Sequence, residues 1–165
     1  RLGRLEAAEP FARRAMAAAA RLGPAHHDVL KYRGLLATVL LKLKRMDEAE
    51  ALVREQYDLC VEHLGAAHPD TLQAVTLQYD LAEAQGRLDL MRHWAEQLKG
   101  TQWEEEVFKQ LEAAEIEELV KKAIAETGAA GRKDMGKVMA ALMPHVKGRA
   151  DGKVVNQIVQ SNLGP

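Results

Sequence analysis

The sequence has one cysteine, few aromatic residues and no long apolar run, and each shortage excludes a class of structure. Cys60 is the only cysteine among 165 residues, so the chain cannot form an internal disulfide, and a cysteine-based metal site is disfavoured. No stretch of about 18 consecutive apolar residues occurs, which argues against a membrane-spanning helix and a membrane partner. These features favour a reducing intracellular compartment, either the cytoplasm or an organelle.

Motifs typical of catalytic and cofactor sites are also missing. The sequence contains no GxSxG elbow, no P-loop and no GxGxxG turn. His26, His27, Asp28 and His68 recur in two similar segments, but they lack the HxxxH or CxxC spacing of zinc ligands. Cys60 falls on the inward spacing of its helix, so we expect a buried thiol. We therefore expect no catalytic residue, no cofactor and no metal site.

Composition and charge favour an all-α protein with a basic end. Aromatic residues make up only 4% of the chain, and alanine, leucine and charged residues dominate. Residues 104–118 carry seven glutamates against one lysine, whereas residues 129–165 carry six Lys or Arg against two Asp. This polarity places a basic end beside an acidic connecting segment. We expect residues 104–118 to form an exposed helix.

A segment of the first hundred residues recurs 42 positions later. LGPAHHDVL at residues 22–30 returns as LGAAHPDTL at residues 64–72, and a fixed period of this size indicates a helical solenoid. Gly34 and Ala37 are small enough to allow close helix packing. The pattern predicts helices near residues 2–22, 28–43, 46–63, 70–85 and 88–98.

The repeated linker resembles that of the tetratricopeptide repeats of the kinesin-light-chain type. The resemblance implies about two and a half repeats in residues 1–100, with a groove for a protein or peptide partner. Gln78 and Tyr79 interrupt the pattern in the third repeat. Because a terminal repeat must cover its open face, we expect Trp94 and Trp103 to cover the end of the solenoid. Further repeats and any targeting segment are expected before residue 1.

Residues 115–165 contain the pattern of a three-helix domain, which residues 101–114 join to the repeats as an acidic helical connector. Asp134 and Asp151 are suited to N-cap two of the helices. Pro144 is predicted to end the middle helix, and Gly128 to cap the C-terminus of the first. The inward positions are Ile116, Leu119, Val120, Ala123, Ile124, Met135, Val138, Met139, Leu142, Val155, Ile158, Val159 and Leu163, with Met143 as additional core filler.

Four spaced blocks in this tail carry a second resemblance. KQL at 109–111, IAETGA at 124–129, KDMGKVM at 133–139 and KGRADGK at 147–153 resemble the C-terminal half of the YqeY proteins. They are thereby similar to the tail domain of the GatB component of glutamine-dependent aspartyl/glutamyl-tRNA amidotransferase. The resemblance covers residues from about 107 to 165. Phe108 stands where the family usually has proline, and a different domain precedes it.

The tail carries a set of basic residues that suit phosphate binding. Two lie in the turn before a helix N-terminus, where backbone N–H groups also favour anions. An ordinary solvated face is the alternative interpretation, and the resemblance to GatB favours contact with tRNA. The candidate nucleic-acid-binding residues are Arg132, Lys133, Lys137, Lys147, Arg149 and Lys153.

The two resemblances together indicate a non-catalytic adaptor with a peptide-binding solenoid and a tail that contacts tRNA or an amidotransferase complex. Association with carbon–nitrogen ligase activity that uses glutamine as amido-N-donor is implied by the resemblance, and no residue in the chain demonstrates it. A protein-interaction scaffold with no RNA or amidotransferase role remains the alternative.

Overall fold

The structure, a computed structural model, describes residues 2–147 and 150–163 and is all-helical over this part of the chain. None of the helices described is both long and apolar enough to cross a membrane. The α-helices in the described residues are α1 (Leu2–Ala19), α2 (His27–Lys42), α3 (Met46–Leu64), α4 (Pro69–Ala84), α5 (Leu88–Gln97), α6 (Glu104–Thr127), α7 (Met135–Val146) and α8 (Gly152–Leu163).

The chain divides into two compact units, unit 1 (Arg1–Glu104) and unit 2 (Glu105–Pro165). In unit 1 each of α1 to α5 packs on its neighbour in sequence, and α2 also packs on α4. The five predicted helices agree with the observed bounds to within a few residues. The main difference is that the end of the first predicted helix is a 3-10 turn, Ala20–Leu22.

The recurring linker histidines cap helices. His26 Nδ1 accepts a hydrogen bond from the backbone N–H of Asp28 at 3.2 Å, and His68 Nδ1 accepts one from Asp70 N–H at 3.2 Å. His27 Nδ1 lies 3.1 Å from Asp70 Oδ2, which joins the two linkers. Each cap satisfies an N–H that the first helical turn leaves unpaired. Within the described residues, no three His, Cys, Asp or Glu side chains group in a way that could hold a metal ion.

The interior of unit 1 follows the predicted apolar stripes. Ala37 is fully buried, and a Cβ on Gly34 would lie 3.4 Å from Leu77 Cδ1, so the helices approach closely at this point. Cys60 is buried as predicted, and burial, followed by the charge of Asp70, raises the pKa of its thiol to about 11. Tyr57 packs against the cluster that contains Cys60, and the half-buried Trp94 lies edge-on against the Tyr57 ring.

Unit 2 begins with a helix that is longer than the sequence pattern suggests. α6 runs without interruption through most of the predicted connector and the first predicted tail helix. Most of its glutamates are exposed, but Val107 and Leu111 are buried, so the expectation of an exposed helix over residues 104–118 is wrong for its apolar positions. Gly128 ends α6 with φ +62°, and Ala129 N–H donates to Ile124 O at 3.3 Å, as in a Schellman cap.

The core of unit 2 contains the predicted inward positions of three helices. Its buried members are Ile116, Val120, Ala123, Val138, Leu142, Val146, Val155, Val159 and Leu163, and the other predicted inward residues pack against them half-buried. Met143 is the exception among the methionines, since 46% of its surface is exposed. The prediction of Met143 as core filler is therefore wrong.

Pro144 does not end α7, contrary to prediction. The helix continues to Val146, and Lys147 N–H donates to Met143 O at 3.1 Å. Proline cannot donate to the C=O four residues earlier, at Ala140, so α7 continues past one missing hydrogen bond. Val146 is buried in the core of unit 2, and its packing holds the last turn in place.

Candidate functional site

The predicted basic residues lie around α7 and at the start of α8. Arg132 and Lys133 belong to a 3-10 turn that leads into α7, and Lys137 follows in the first turn of that helix. Lys147 comes directly after α7, and Lys153 lies in the first turn of α8. All five are exposed. Arg149 lies outside the described residues, as does Gly148.

The structure separates these cations into two groups at opposite ends of α7. Lys137 and Lys147 are ten positions apart, so about 15 Å of helix axis separates their backbones at 1.5 Å per residue. The first group contains Arg132, Lys133 and Lys137, and the second contains Lys147 and Lys153 at the turn between the helices. Such a spread suits contact with several phosphates of a nucleic-acid backbone better than binding of one small anion.

Asp134 modifies the first group and does not act as the predicted cap. Its Oδ2 accepts a hydrogen bond from Ala130 N–H at 3.1 Å, which turns the side chain away from the first turn of α7. Its Oδ1 lies 3.1 Å from Lys137 Nζ. The Ala130 N–H, and after it Lys137, holds the pKa of Asp134 below its usual value. Asp134 therefore closes the turn before α7 and partly neutralises Lys137.

Asp151 caps α8 as predicted, and this changes how the second group can bind an anion. Its Oδ1 accepts a hydrogen bond from Lys153 N–H at 2.8 Å. The carboxylate thus occupies the position that a phosphate would take at this helix N-terminus. Anion binding here must rest on the lysine side chains and not on the backbone amides.

Three of the predicted cations are available to a partner. Among the described residues, Lys133, Lys147 and Lys153 make no ion pair. Ammonium groups that are exposed and unpaired can neutralise phosphates and release counterions, which is the main source of affinity in non-specific nucleic-acid binding. Exposed ammonium groups of this kind can contact an anionic polymer.

Unit 1 contains a second candidate site, a groove of about 390 Å³ between α2, α3 and α4. Its lining includes apolar Leu35 and Leu77 and the polar side chains Gln56 and Asp80. Sequence reasoning predicted a groove for a protein or peptide but named none of these residues. The sequence did contain an indication of Gln56. This polar residue lies on the same inward face of α3 as Val53 and Cys60, where an apolar residue is expected.

The sequence matches a known protein family. Residues 77–163, more than half of the chain, match the family described as Yqey-like protein. The match begins in α4, upstream of the predicted onset near residue 107, and it includes the third-repeat residues Gln78 and Tyr79 that interrupt the repeat pattern. Searches of curated proteins and of solved structures found no match. The chain belongs to the family of YqeY-like proteins.

Proposed function

We propose that this YqeY-family protein is a non-catalytic adaptor that binds tRNA through unit 2 and a protein partner through unit 1. One observation supports the first half most strongly. Lys133, Lys147 and Lys153 surround a short, well-packed helix, and among the described residues they are exposed and without ion pairs. Several exposed cations on the elements that flank and pack on α7 favour a partner that carries several phosphates.

The choice of tRNA among nucleic acids rests on the resemblance of the tail to GatB. By that resemblance the adaptor is linked to glutamine-dependent tRNA amidotransferase, a carbon–nitrogen ligase with glutamine as amido-N-donor. We assign the amide transfer itself to partner proteins, because in the amidotransferase it belongs to the body of GatB and to its glutaminase partner, whereas the resemblance covers only the tail domain. The isolated chain should accordingly show no glutaminase or amidotransferase activity.

The second half of the proposal rests on unit 1. Its helices follow the 42-residue sequence period, with equivalent linkers that are capped in the same way by His26 and His68. This regularity supports a short tetratricopeptide array. The groove between α2, α3 and α4 is the place where a partner would bind.

Binding of fluorescein-labelled folded tRNA, followed by anisotropy, tests the first half. The variant to compare with the wild type changes Lys133, Lys137, Lys147 and Lys153 to Gln. A matched control makes the same change in net charge at four exposed lysines elsewhere. These are Lys31, Lys42, Lys44 and Lys99, all in unit 1.

The proposal predicts that the affinity of the tail variant falls by at least about tenfold, whereas that of the control falls much less. Equal reductions in both variants would mean that net charge alone attracts the tRNA, and would contradict a site on unit 2. Absence of binding by the wild type would leave the protein-interaction scaffold as the better description.

A further inference from the structure

The groove of unit 1 contains a buried amide without a hydrogen-bond partner. Gln56 is 3% exposed, and within the described part of the chain its Oε1 has no donor in reach. Gly34 and Leu77 border it, since a Cβ on Gly34 would come within 3.6 Å of Gln56 Oε1. A buried carbonyl oxygen left unpaired is costly, so such an atom at a groove favours a ligand that brings an N–H or O–H.

A carboxyl group lies further along the same groove. Asp80 on α4 lines it and forms no hydrogen bond or ion pair closer than 4 Å with the described residues. Asp80 keeps contact with solvent, yet partial desolvation at the groove wall, and after it the charge of Glu83, raises the pKa of Asp80 to about 6. Lys42 opposes this shift only in part. At neutral pH the groove therefore holds a carboxylate whose charge is incompletely balanced.

Two hydroxyl groups in the lining already donate their hydrogen atoms. Thr38 Oγ1 donates to Gly34 O at 2.9 Å, and Thr76 Oγ1 donates to Gln73 O at 2.7 Å. Toward the groove these hydroxyls can therefore only accept hydrogen bonds. The groove thus offers acceptors at Thr38, Thr76 and Asp80, beside the side-chain amides of Gln56 and Gln73, which carry donors as well.

The groove also offers apolar surface to an occupant. Leu35 is 51% exposed although it belongs to the lining, and Tyr32 beside it is half-buried. The single cation in the described lining, Lys31, lies seven positions before Thr38 on α2, or about 10 Å along the helix axis. Asp80 corresponds to Thr38 in the 42-residue period, so Lys31 and the carboxylate mark opposite ends.

We propose that this groove binds an extended peptide segment of the partner protein, with an arginine or lysine side chain on Asp80, an apolar side chain on Leu35 and a backbone N–H on Gln56 Oε1. The inference rests on the proposed partner-binding role of unit 1 and specifies its ligand. At about 3.3 Å per residue, an extended chain places three to four residues along about 10 Å of groove. A charge-assisted contact to the carboxylate supplies the specificity.

Pools of acetylated and amidated nonapeptides test this inference with the full chain. Eight positions are randomised among uncharged residues, and the central position is fixed as arginine, glutamine or glutamate. Binding of each fluorescein-labelled pool is measured by anisotropy for the wild type, Asp80→Asn and the control Asp58→Asn. Asp58 is an exposed carboxylate on α3 that does not line the groove.

The wild type and Asp58→Asn should prefer the arginine pool to the glutamate pool by about tenfold or more, and Asp80→Asn should lose most of this preference. Gln56→Leu should weaken all three pools and leave the preference intact. Should Asp80→Asn not fold, as judged by circular dichroism, the wild type still gives a test. Its arginine preference should fall between about pH 7.5 and pH 5, as Asp80 takes up a proton.

Each of the other outcomes would overturn one part of the inference. Pools that bind with equal affinity would overturn the cation site but keep a peptide groove. If no pool binds, both the inference and the partner-binding role of unit 1 fail, whereas tRNA binding by unit 2 is unaffected. A preference that persists in Asp80→Asn, or that also disappears in Asp58→Asn, would place the contact outside the groove.

Discussion

Both units have an apolar core, and they differ in the ion pairs added to it. In unit 1, ion pairs join one helix to another. Arg13 Nη2 lies 2.9 Å from Glu48 Oε2, and Arg45 Nη1 lies 2.6 Å from Glu9 Oε2. In unit 2, Lys121 pairs with Glu117 and Lys137 with Asp134, partners four and three positions away. These local pairs stabilise a helix or a turn but do not position one helix against another.

The ion-paired side chains of unit 1 stabilise the fold, whereas we propose that the exposed lysines of unit 2 bind a partner. Arg13 and Arg45 of unit 1 already hold carboxylates on other elements. Lys133, Lys147 and Lys153 of unit 2 are exposed and lie outside its apolar core, so changing any of them should cost little stability. The comparison thus predicts that core and surface changes in unit 2 have separable effects.

The largest expected effect comes from the core of unit 2. Leu142→Ala removes a side chain that is 1% exposed and should cost about 2–5 kcal/mol of unfolding free energy. Met143→Ala, one position further along α7 and largely exposed, should cost about 0.5 kcal/mol or less. Hydrogen exchange of the α6 to α8 amides measures both. Similar protection in the two variants would contradict the assignment of Leu142 to the core.

A smaller effect is expected at the turn that ends α6. Gly128→Ala forces a Cβ into the left-handed region at φ +62° and should cost about 1–2 kcal/mol. Gly136→Ala is the matched control, because Gly136 lies within α7 and a Cβ would meet no atom within 4 Å. That change should stabilise by about 0.5–1 kcal/mol. Urea unfolding midpoints that shift in the same direction for both variants would contradict this account.

The smallest effects concern two carboxyl groups of unit 1 with opposite pKa shifts. The pKa of Asp80 is raised from 3.8 to about 6, so the ionised carboxyl destabilises the fold above that pH. Asp80→Asn should therefore raise the melting temperature near neutral pH. Glu9 has its pKa lowered from 4.5, first by Arg13, so its contribution is present at neutral pH and lost as the pH falls below 4.5.

Melting temperatures at about pH 7.5 and pH 3 check both signs. The melting temperature of Asp80→Asn should exceed that of the wild type only at the higher pH. The melting temperature of Glu9→Gln should be lower than that of the wild type, also only at the higher pH. The differences should be small, because both groups keep contact with solvent. A destabilising effect of Asp80→Asn at neutral pH would mean that the carboxylate has a partner, which would weaken the groove inference.

Helix positions could be predicted because period and caps are local properties of the sequence. Asp151 and Gly128 illustrate this, since each interacts with atoms a few residues away. Asp134 has the same residue type as Asp151 but turns back to Ala130, because a 3-10 turn precedes α7 and brings that N–H into reach. Residue type alone could not distinguish these two geometries.

The groove depends on contacts between helices and was therefore beyond sequence reasoning. Gln56 is buried because α2, α3 and α4 meet around it, and Asp80 acquires its raised pKa from the same surroundings. The exposed lysines of unit 2 were predicted individually, but their separation along α7 follows only from a helix that continues through Pro144.

The salt dependence of tRNA binding tests the central claim most directly, since it counts the phosphates that the protein neutralises. Affinities are measured at several salt concentrations for the wild type and for the variant with Lys133, Lys137, Lys147 and Lys153 changed to Gln. The account predicts that the log–log slope becomes shallower by about 0.7–0.9 for each phosphate that the variant no longer neutralises. An unchanged slope would contradict it, because these lysines would then make no contact with the RNA backbone.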